Sequence, residues 1–171
     1  MRVAGAKSLK KFKPDKHFKD IFSIDIVSLK EEGIKGLICD IDNTIVPWSE
    51  ERVMEEVADW LTELDKKGFR ICLVSNGREK RVAFFSKELG LPAVGRAVKP
   101  RKPAFEQASR KLGLKREEIA VIGDQIFTDI YGGNRMGFKT ILVEPMAERE
   151  FIGTRIMRLF ENMVYKRRER L

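Results

Sequence analysis

Residues 33–42 read GIKGLICDID, an apolar run from Leu37 to Cys39 that follows a glycine and ends on two acids with a single residue between them. Continuous rather than alternating hydrophobicity is the mark of a strand buried on both faces, as in the centre of a parallel sheet. Working outward from it, short runs of the same kind recur at FRICLVSNG (69–77), around Ala93 to Val98, at IAVIGD (119–124) and at FKTILVEP (138–145). Stretches of helical period separate them. The first runs from about Glu50 to Lys67, with Val53, Val57, Trp60, Leu61 and Leu64 on one stripe and Gly68 as its stop. A second spans about Glu79 to Leu89, and a third is opened by Pro103 and closed near Gly113. QIFTDIYGGNRMG (125–137) leads from a strand into a helix that ends by Gly137. Such alternation predicts an α/β, doubly wound, Rossmann-like fold: a mostly parallel sheet in a three-layer arrangement.

The 171 residues suit one domain, which at this size buries roughly 70% of the surface of its unfolded chain. With 43% hydrophobic and 35% charged residues, composition excludes a disordered chain. The net charge of +8 sits at the ends: residues 1–20 carry +5, residues 151–171 carry +4, and the stretch between them carries −1. We therefore divide the chain into a basic N-terminal extension (1–30), a core (31–147) and a C-terminal segment (148–171). In that last segment Ile152, Ile156, Leu159, Phe160 and Met163 recur at helical spacing, which predicts a basic amphipathic helix. Basic ends of this kind suit acidic partners such as phospholipid headgroups, RNA or an acidic protein.

Cys39 and Cys72 lie in apolar runs without a CxxC or a Cys/His cluster, so they read as reduced core residues. Lysines interrupt the N-terminus before a secretory apolar region could form, and no apolar run approaches the ~20 residues that span a bilayer. A cytoplasmic location is expected, with peripheral contact at the inner membrane face compatible with it.

Polar residues collect at the carboxyl ends of the strands, where open α/β sheets bind ligands. Asp40 and Asp42 end the first strand, Ser75 and Asn76 the second; Lys99 follows the third and Asp124 the fourth. One strand-end acid is ordinarily a cap or turn residue. Four successive polar strand ends are a candidate site.

DIDNT (Asp40–Thr44), LVSNG (Leu73–Gly77), KPRKPAF (Lys99–Phe105) and GDQIFTD (Gly123–Asp129) resemble, in order, the four motifs of the haloacid dehalogenase (HAD) superfamily. DNT together with GDQIFTDI is more similar to the YqeG-type group of subfamily IIIA phosphatases. The resemblance implies catalysis by Asp40, Asp42 and Lys99. It implies substrate contacts from Thr44, Ser75, Asn76 and Gly77, and a Mg²⁺ held by Asp40, Asp124, Asp129 and the backbone carbonyl of Asp42. Lysine six residues before the aromatic Phe105 selects Lys99; Lys102 reads as a solvated charge or a substrate contact. Asn43 serves equally well as a turn residue.

Residue chemistry agrees with that assignment. A phosphate monoester dianion repels a carboxylate nucleophile, so a hard cation and an amine must neutralise charge while the nucleophile is held in line. Oxygen-only ligands suit Mg²⁺ and not zinc. Asp40 would form an aspartyl-phosphate, and Asp42 would protonate the leaving oxygen and then deprotonate water.

Between Thr44 and Ser75, and again between Gly77 and Lys99, there is room for only about one helix and a strand, so the fold is expected to be capless. An open site suits a phosphate projecting from something large. Eukaryotic relatives in the group act on phosphatidylglycerophosphate, and the basic tail would suit an anionic membrane. Two other readings stand beside this one: a HAD phosphatase of small metabolites, and a nucleic-acid-binding module with a vestigial site, although no specific nucleic-acid signature is present. A receiver-like signalling domain would order its acids, phosphoacceptor and lysine differently along the strands.

Overall fold

The computed structural model describes residues 9–146, so the C-terminal helix expected over 148–171 lies outside the described residues. A six-stranded, wholly parallel sheet runs through the described part in the order β1-β6-β5-β2-β3-β4. The strands are β1 (Lys16–Phe18), β2 (Gly36–Cys39), β3 (Arg70–Val74), β4 (Ala93–Val94), β5 (Ile119–Gly123) and β6 (Lys139–Val143). The α-helices are α1 (Ile26–Glu31), α2 (Glu55–Lys66), α3 (Glu79–Leu89), α4 (Lys102–Leu112) and α5 (Tyr131–Met136).

Alternation along each strand sends side chains to two separate cores. Leu37 and Cys39 of β2, with Leu73 of β3 and Ile122 of β5, join Leu29 of α1, Leu61 of α2 and Phe85 of α3. Ile38, Cys72 and Val121, pointing the other way, join Phe105 and Leu112 of α4 and Met136 of α5. The two clusters are the two faces of a three-layer, doubly wound α/β fold. Both β2 and β5 are buried along their whole length, as the unbroken apolar runs required. Cys39 and Cys72 are free thiols in these cores, and burial pushes the thiol of Cys72 up to about 11.

Several boundaries differ from the sequence expectation for identifiable reasons. The helix expected from Glu50 begins at Glu55, because the carbonyls of Pro47 and Glu50 accept hydrogen bonds from the Arg81 guanidinium (3.4 and 2.7 Å) and residues 45–54 form a flap. The run Ala93–Val98 is a strand only to Val94, since Arg96 and Val98 adopt positive φ. Residues 126–130 form a π turn before α5 rather than regular helix. Lys16–Phe18, within the basic N-terminal extension, pairs with β6 and caps the sheet edge.

No inserted domain interrupts the core. Between Thr44 and Ser75 lie the flap, α2 and β3; between Gly77 and Lys99 lie α3, β4 and a short turn. The fold is capless. No helix among the described residues is long and apolar enough to cross a membrane.

Candidate active site

The chain leaves β2 for β3 and β4 on one side, then returns to place β5 on the other side of β2. That reversal opens the crevice where α/β sheets bind ligands. Asp40, just after β2, and Asp124, just after β5, flank it, and the register Cys39↔Ile122 sets them within one residue of the same height.

Asp40, Asp124 and Asp129 bring carboxylate oxygens within 4.8 Å of one another. The Lys99 ammonium enters the same cluster, donating to Asp40 Oδ1 and to Asp129 Oδ1 at 2.6 Å each and to the Val74 carbonyl at 3.2 Å. All four residues are buried. Burial raises the Asp40 carboxyl well above the ordinary range; Lys99 opposes that, and the carboxylates of Asp129 and Asp42 add to it. Burial also raises Asp124, with Asp40 and Asp129 contributing. For Lys99 burial disfavours the charge, but Asp129 and Asp40 overcome it and hold the ammonium above the usual lysine range. One ammonium can offset only one of three carboxylates, so the cluster either holds protons or needs a further cation among its buried oxygens. Such a donor set fits a hard divalent cation.

Asp129 reaches the cluster because the π turn spans Ile126–Ile130, with the Tyr131 N–H donating to the Ile126 carbonyl. Its second oxygen accepts the Gln125 N–H at 3.2 Å. Gly123 makes room: a Cβ there would lie 2.3 Å from Asp129 Cγ. Thr44, expected at the substrate, is buried with its hydroxyl 3.4 Å from Asp124 Oδ1.

Asp42 sits apart from these carboxylates, its side chain held by other partners. Its Oδ2 accepts the Ser75 hydroxyl at 3.0 Å, and its Oδ1 accepts Arg81 Nε at 2.9 Å. Ser75 Oγ in turn accepts the Gly77 N–H at 2.8 Å, so the acid, the hydroxyl and the tight turn after β3 form one chain of contacts. The Asn76 side chain latches the backbone of the third motif, accepting the Lys99 N–H at 2.7 Å and donating to the Lys99 carbonyl at 3.4 Å. Asn43, at φ 64°, forms the turn into the flap, and its Oδ1 accepts the Trp48 N–H.

Eight of the nine residues expected at the site therefore meet as two adjoining groups: Asp40, Asp124, Asp129 and Lys99 with Thr44 at their edge, and Asp42 with Ser75 and Gly77. Asn76, the ninth, joins through the Lys99 backbone, whereas the side chain of Lys102 makes no hydrogen bond or ion pair among the described residues. Arg81 was not anticipated. It joins Asp42 to the flap from a helix 39 positions away, and its only local trace is a strong cation in the first turn after SNG.

A family model described as "Hydrolase: haloacid dehalogenase-like hydrolase" matches residues 4–137. "Probable phosphatase YqeG" of Bacillus subtilis is 43% identical over 157 residues, covering 91% of each chain. Phosphatidylglycerophosphate phosphatase 1 of Arabidopsis thaliana is 29% identical over 157 residues, 85% of this chain but 45% of that one, so the match spans less than half of the plant protein. Among solved structures, the cobalt-bound deoxy-D-mannose-octulosonate 8-phosphate phosphatase of Haemophilus influenzae superposes with a TM-score of 0.51 at 18% identity, covering 67% of this chain and 70% of that one. An uncharacterized Listeria monocytogenes protein gives 0.55 at 16% identity, covering 69% and 85%. The structural likenesses speak to the fold alone; the matched sequence and the site built at the switch point carry the rest. The chain belongs to the haloacid dehalogenase-like hydrolases, as a phosphatase of the YqeG type.

Proposed function

We propose that the chain is a Mg²⁺-dependent phosphate monoester hydrolase working through an aspartyl-phosphate at Asp40, and that its substrate is the lipid phosphate phosphatidylglycerophosphate. The observation that supports the chemistry best is the buried group of Asp40, Asp124 and Asp129 around one lysine. When bound there, Mg²⁺ would neutralise the attacked phosphoryl group and keep Asp40 ionised, with Asp40, Asp124 and Asp129 as side-chain ligands and Asp42 contributing its backbone carbonyl.

The chain's own residues account for the remaining steps. Asp40 attacks phosphorus, and Lys99, already hydrogen-bonded to it, stabilises both the carboxylate and the phosphoryl oxygens. Asp42, oriented by Ser75 and Arg81, gives a proton to the leaving oxygen and takes one from the water that hydrolyses the intermediate. Ser75, Asn76 and Gly77, in the turn after β3, bind the transferring phosphoryl group, and Thr44 supports the cluster from Asp124.

The substrate assignment draws on two facts. The capless fold leaves the strand ends open to a phosphate carried on a large molecule. The plant relative bears the name of a phosphatidylglycerophosphate phosphatase. The basic C-terminal segment, residues 148–171, would hold the enzyme against an anionic membrane, consistent with a cytoplasmic enzyme at the inner face.

Phosphate release from a panel of phosphatidylglycerophosphate in mixed micelles, sugar phosphates, nucleotides and a small aryl phosphate tests the proposal. Turnover on the lipid should lead the panel, and both Asp40→Asn and chelation should abolish it. An Asp40→Asn protein that retains turnover would remove the nucleophile assignment, and a sugar phosphate leading the panel would remove the lipid one.

A further inference from the structure

The segment after β4 returns to the site through a turn, Gly95–Val98, in which Arg96 and Val98 adopt φ of 46° and 51°. Left-handed backbone is costly for a non-glycine residue and most costly for a β-branched one. Val98 gains no burial in return, since its side chain is 55% exposed. The turn is tied to the end of β3 by the Ala97 N–H donating to the Ser75 carbonyl at 3.0 Å and the Arg96 N–H donating to the Gly77 carbonyl at 3.4 Å. Its effect is to set Arg96 beside the first turn of α3, next to the residues expected to bind the phosphoryl group.

Arg96 there lines an open depression of about 520 Å³ with Arg78, Glu79, Lys80 and Ala83. On the other side of the same turn, Arg96 and Arg101 line a second depression of about 250 Å³. Three cationic side chains thus share the first depression with one acid, and Arg101 stands across the turn from them with Arg96 common to both. The Arg96–Glu79 pair is 3.9 Å apart with both side chains about three-quarters exposed, a geometry that neutralises little. The side chains of Arg78, Lys80 and Arg101 make no hydrogen bond or ion pair among the described residues. Like charges brought together and left unpaired around a concave surface form a site for an anion.

We infer that Arg78, Lys80, Arg96 and Arg101 form a second anion subsite that takes the phosphodiester of the same substrate whose terminal phosphomonoester enters the carboxylate cluster. The inference deepens the reading above and rests on it. A glycerophospholipid headgroup ending in a phosphate carries both groups, a monoester and a diester joined through glycerol. A simple sugar or aryl phosphate leaves the subsite empty, so the subsite is where this capless enzyme would select its substrate.

The test uses the full chain with Mg²⁺ and three soluble substrates: p-nitrophenyl phosphate, glycerol 3-phosphate and glycerophosphoglycerophosphate, the deacylated headgroup. For the wild type, kcat/KM on the diester-bearing compound should exceed that on glycerol 3-phosphate by about a hundredfold or more. Arg96→Gln combined with Arg101→Gln should remove at least about tenfold of that advantage, mainly through KM, while both simple monoesters stay within about twofold. Arg110→Gln, in the last turn of α4 at the other end of the sheet, should change none of them. Equal kcat/KM on glycerol 3-phosphate and the headgroup compound would overturn the subsite and leave the phosphatase reading standing. A loss by the double variant that is equal on all three substrates would overturn it too. Turnover of p-nitrophenyl phosphate with none of the headgroup compound would overturn both the subsite and the lipid substrate. If Asp40→Asn protein bound single-stranded RNA through these arginines but not the headgroup compound, the patch would belong to nucleic acid and the proposal would fall.

Discussion

Asp40 and Asp42 stand two residues apart, yet they are held by different cations: Asp40 by Lys99 and Asp42 by Arg81. That division gives the two acids separate surroundings. Arg81 is the positioning residue of the second, since it fixes the Asp42 carboxylate and two flap carbonyls together. Arg81→Ala should lower kcat on a small aryl phosphate by about tenfold, or about 1.4 kcal/mol, with KM nearly unchanged. Arg81→Lys should restore little, because one ammonium cannot serve three acceptors in a fixed fork. A KM effect with kcat intact would show that Arg81 contacts substrate instead. A pH dependence follows from the buried acids. Asp40 and Asp124 are raised in the folded chain, so above the ordinary carboxylate range the folded state holds protons that the unfolded chain has released. Stability of the chelated protein should therefore fall as pH rises from about 5 to 8. Mg²⁺ should raise the melting temperature more at about pH 8 than at about pH 6, since protons compete for its ligands. Melts in chelator that become more stable over that range would contradict the assignment. The motif residues were legible because each follows an apolar run; Arg81 was not, because its partners are assembled only in space.

At the scale of elements, two glycines separate function from packing. A Cβ at Gly123 would lie 2.3 Å from the Asp129 carboxyl carbon, and one at Gly132 would lie 2.4 Å from the Phe105 ring, where α5 packs on α4. Gly123→Ala should cut turnover severely and weaken Mg²⁺-dependent stabilisation, because the side chain forced aside is a proposed ligand. Gly132→Ala should cost about 1–3 kcal/mol of stability by overpacking, with kcat little changed at temperatures where the protein is folded. Denaturant titration and initial rates on the same two proteins check both. The reverse pattern would mean that Asp129 is not needed for turnover. The helices were readable from their period and their Pro and Gly boundaries, and the central strands from unbroken apolar runs. The π turn was not, since QIFTDIYGGNRM carries no signal for one extra residue in the turn, and that shift is part of what sets Asp129 against Lys99. The early end of β4 was equally hidden, because positive φ at Arg96 and Val98 runs against their local preference.

For the whole molecule, the order of strands decides where chemistry takes place, and the edges decide how the sheet is closed. β1 joins β6 over three residues, Lys16, His17 and Phe18, too short and too polar a run to show any period in the sequence. What anchors it is Asp15, whose carboxylate accepts both the N–H (2.8 Å) and the hydroxyl (3.2 Å) of Thr140. Asp15→Ala should destabilise the chain by about 1–3 kcal/mol, because the N–H of buried Thr140 loses its side-chain acceptor, whereas the hydroxyl can still donate to Asn134 Oδ1. It should leave kinetics on an aryl phosphate unchanged, since the site lies between β2 and β5. Faster amide exchange confined to β6 would locate the effect, and an activity loss without it would refute the purely structural role. The edge arrangement also bears on how the chain is made. Asp15 is separated from Thr140 by 125 positions, so at about 5–20 residues per second the ribosome delivers the partner roughly 6–25 seconds after the strand itself. Of the six strands the outermost is thus made first, yet it cannot dock until β6 exists, and until then the nascent protein must keep it solvated, a task for which Lys16 and the flanking Lys13 and Lys19 are well suited.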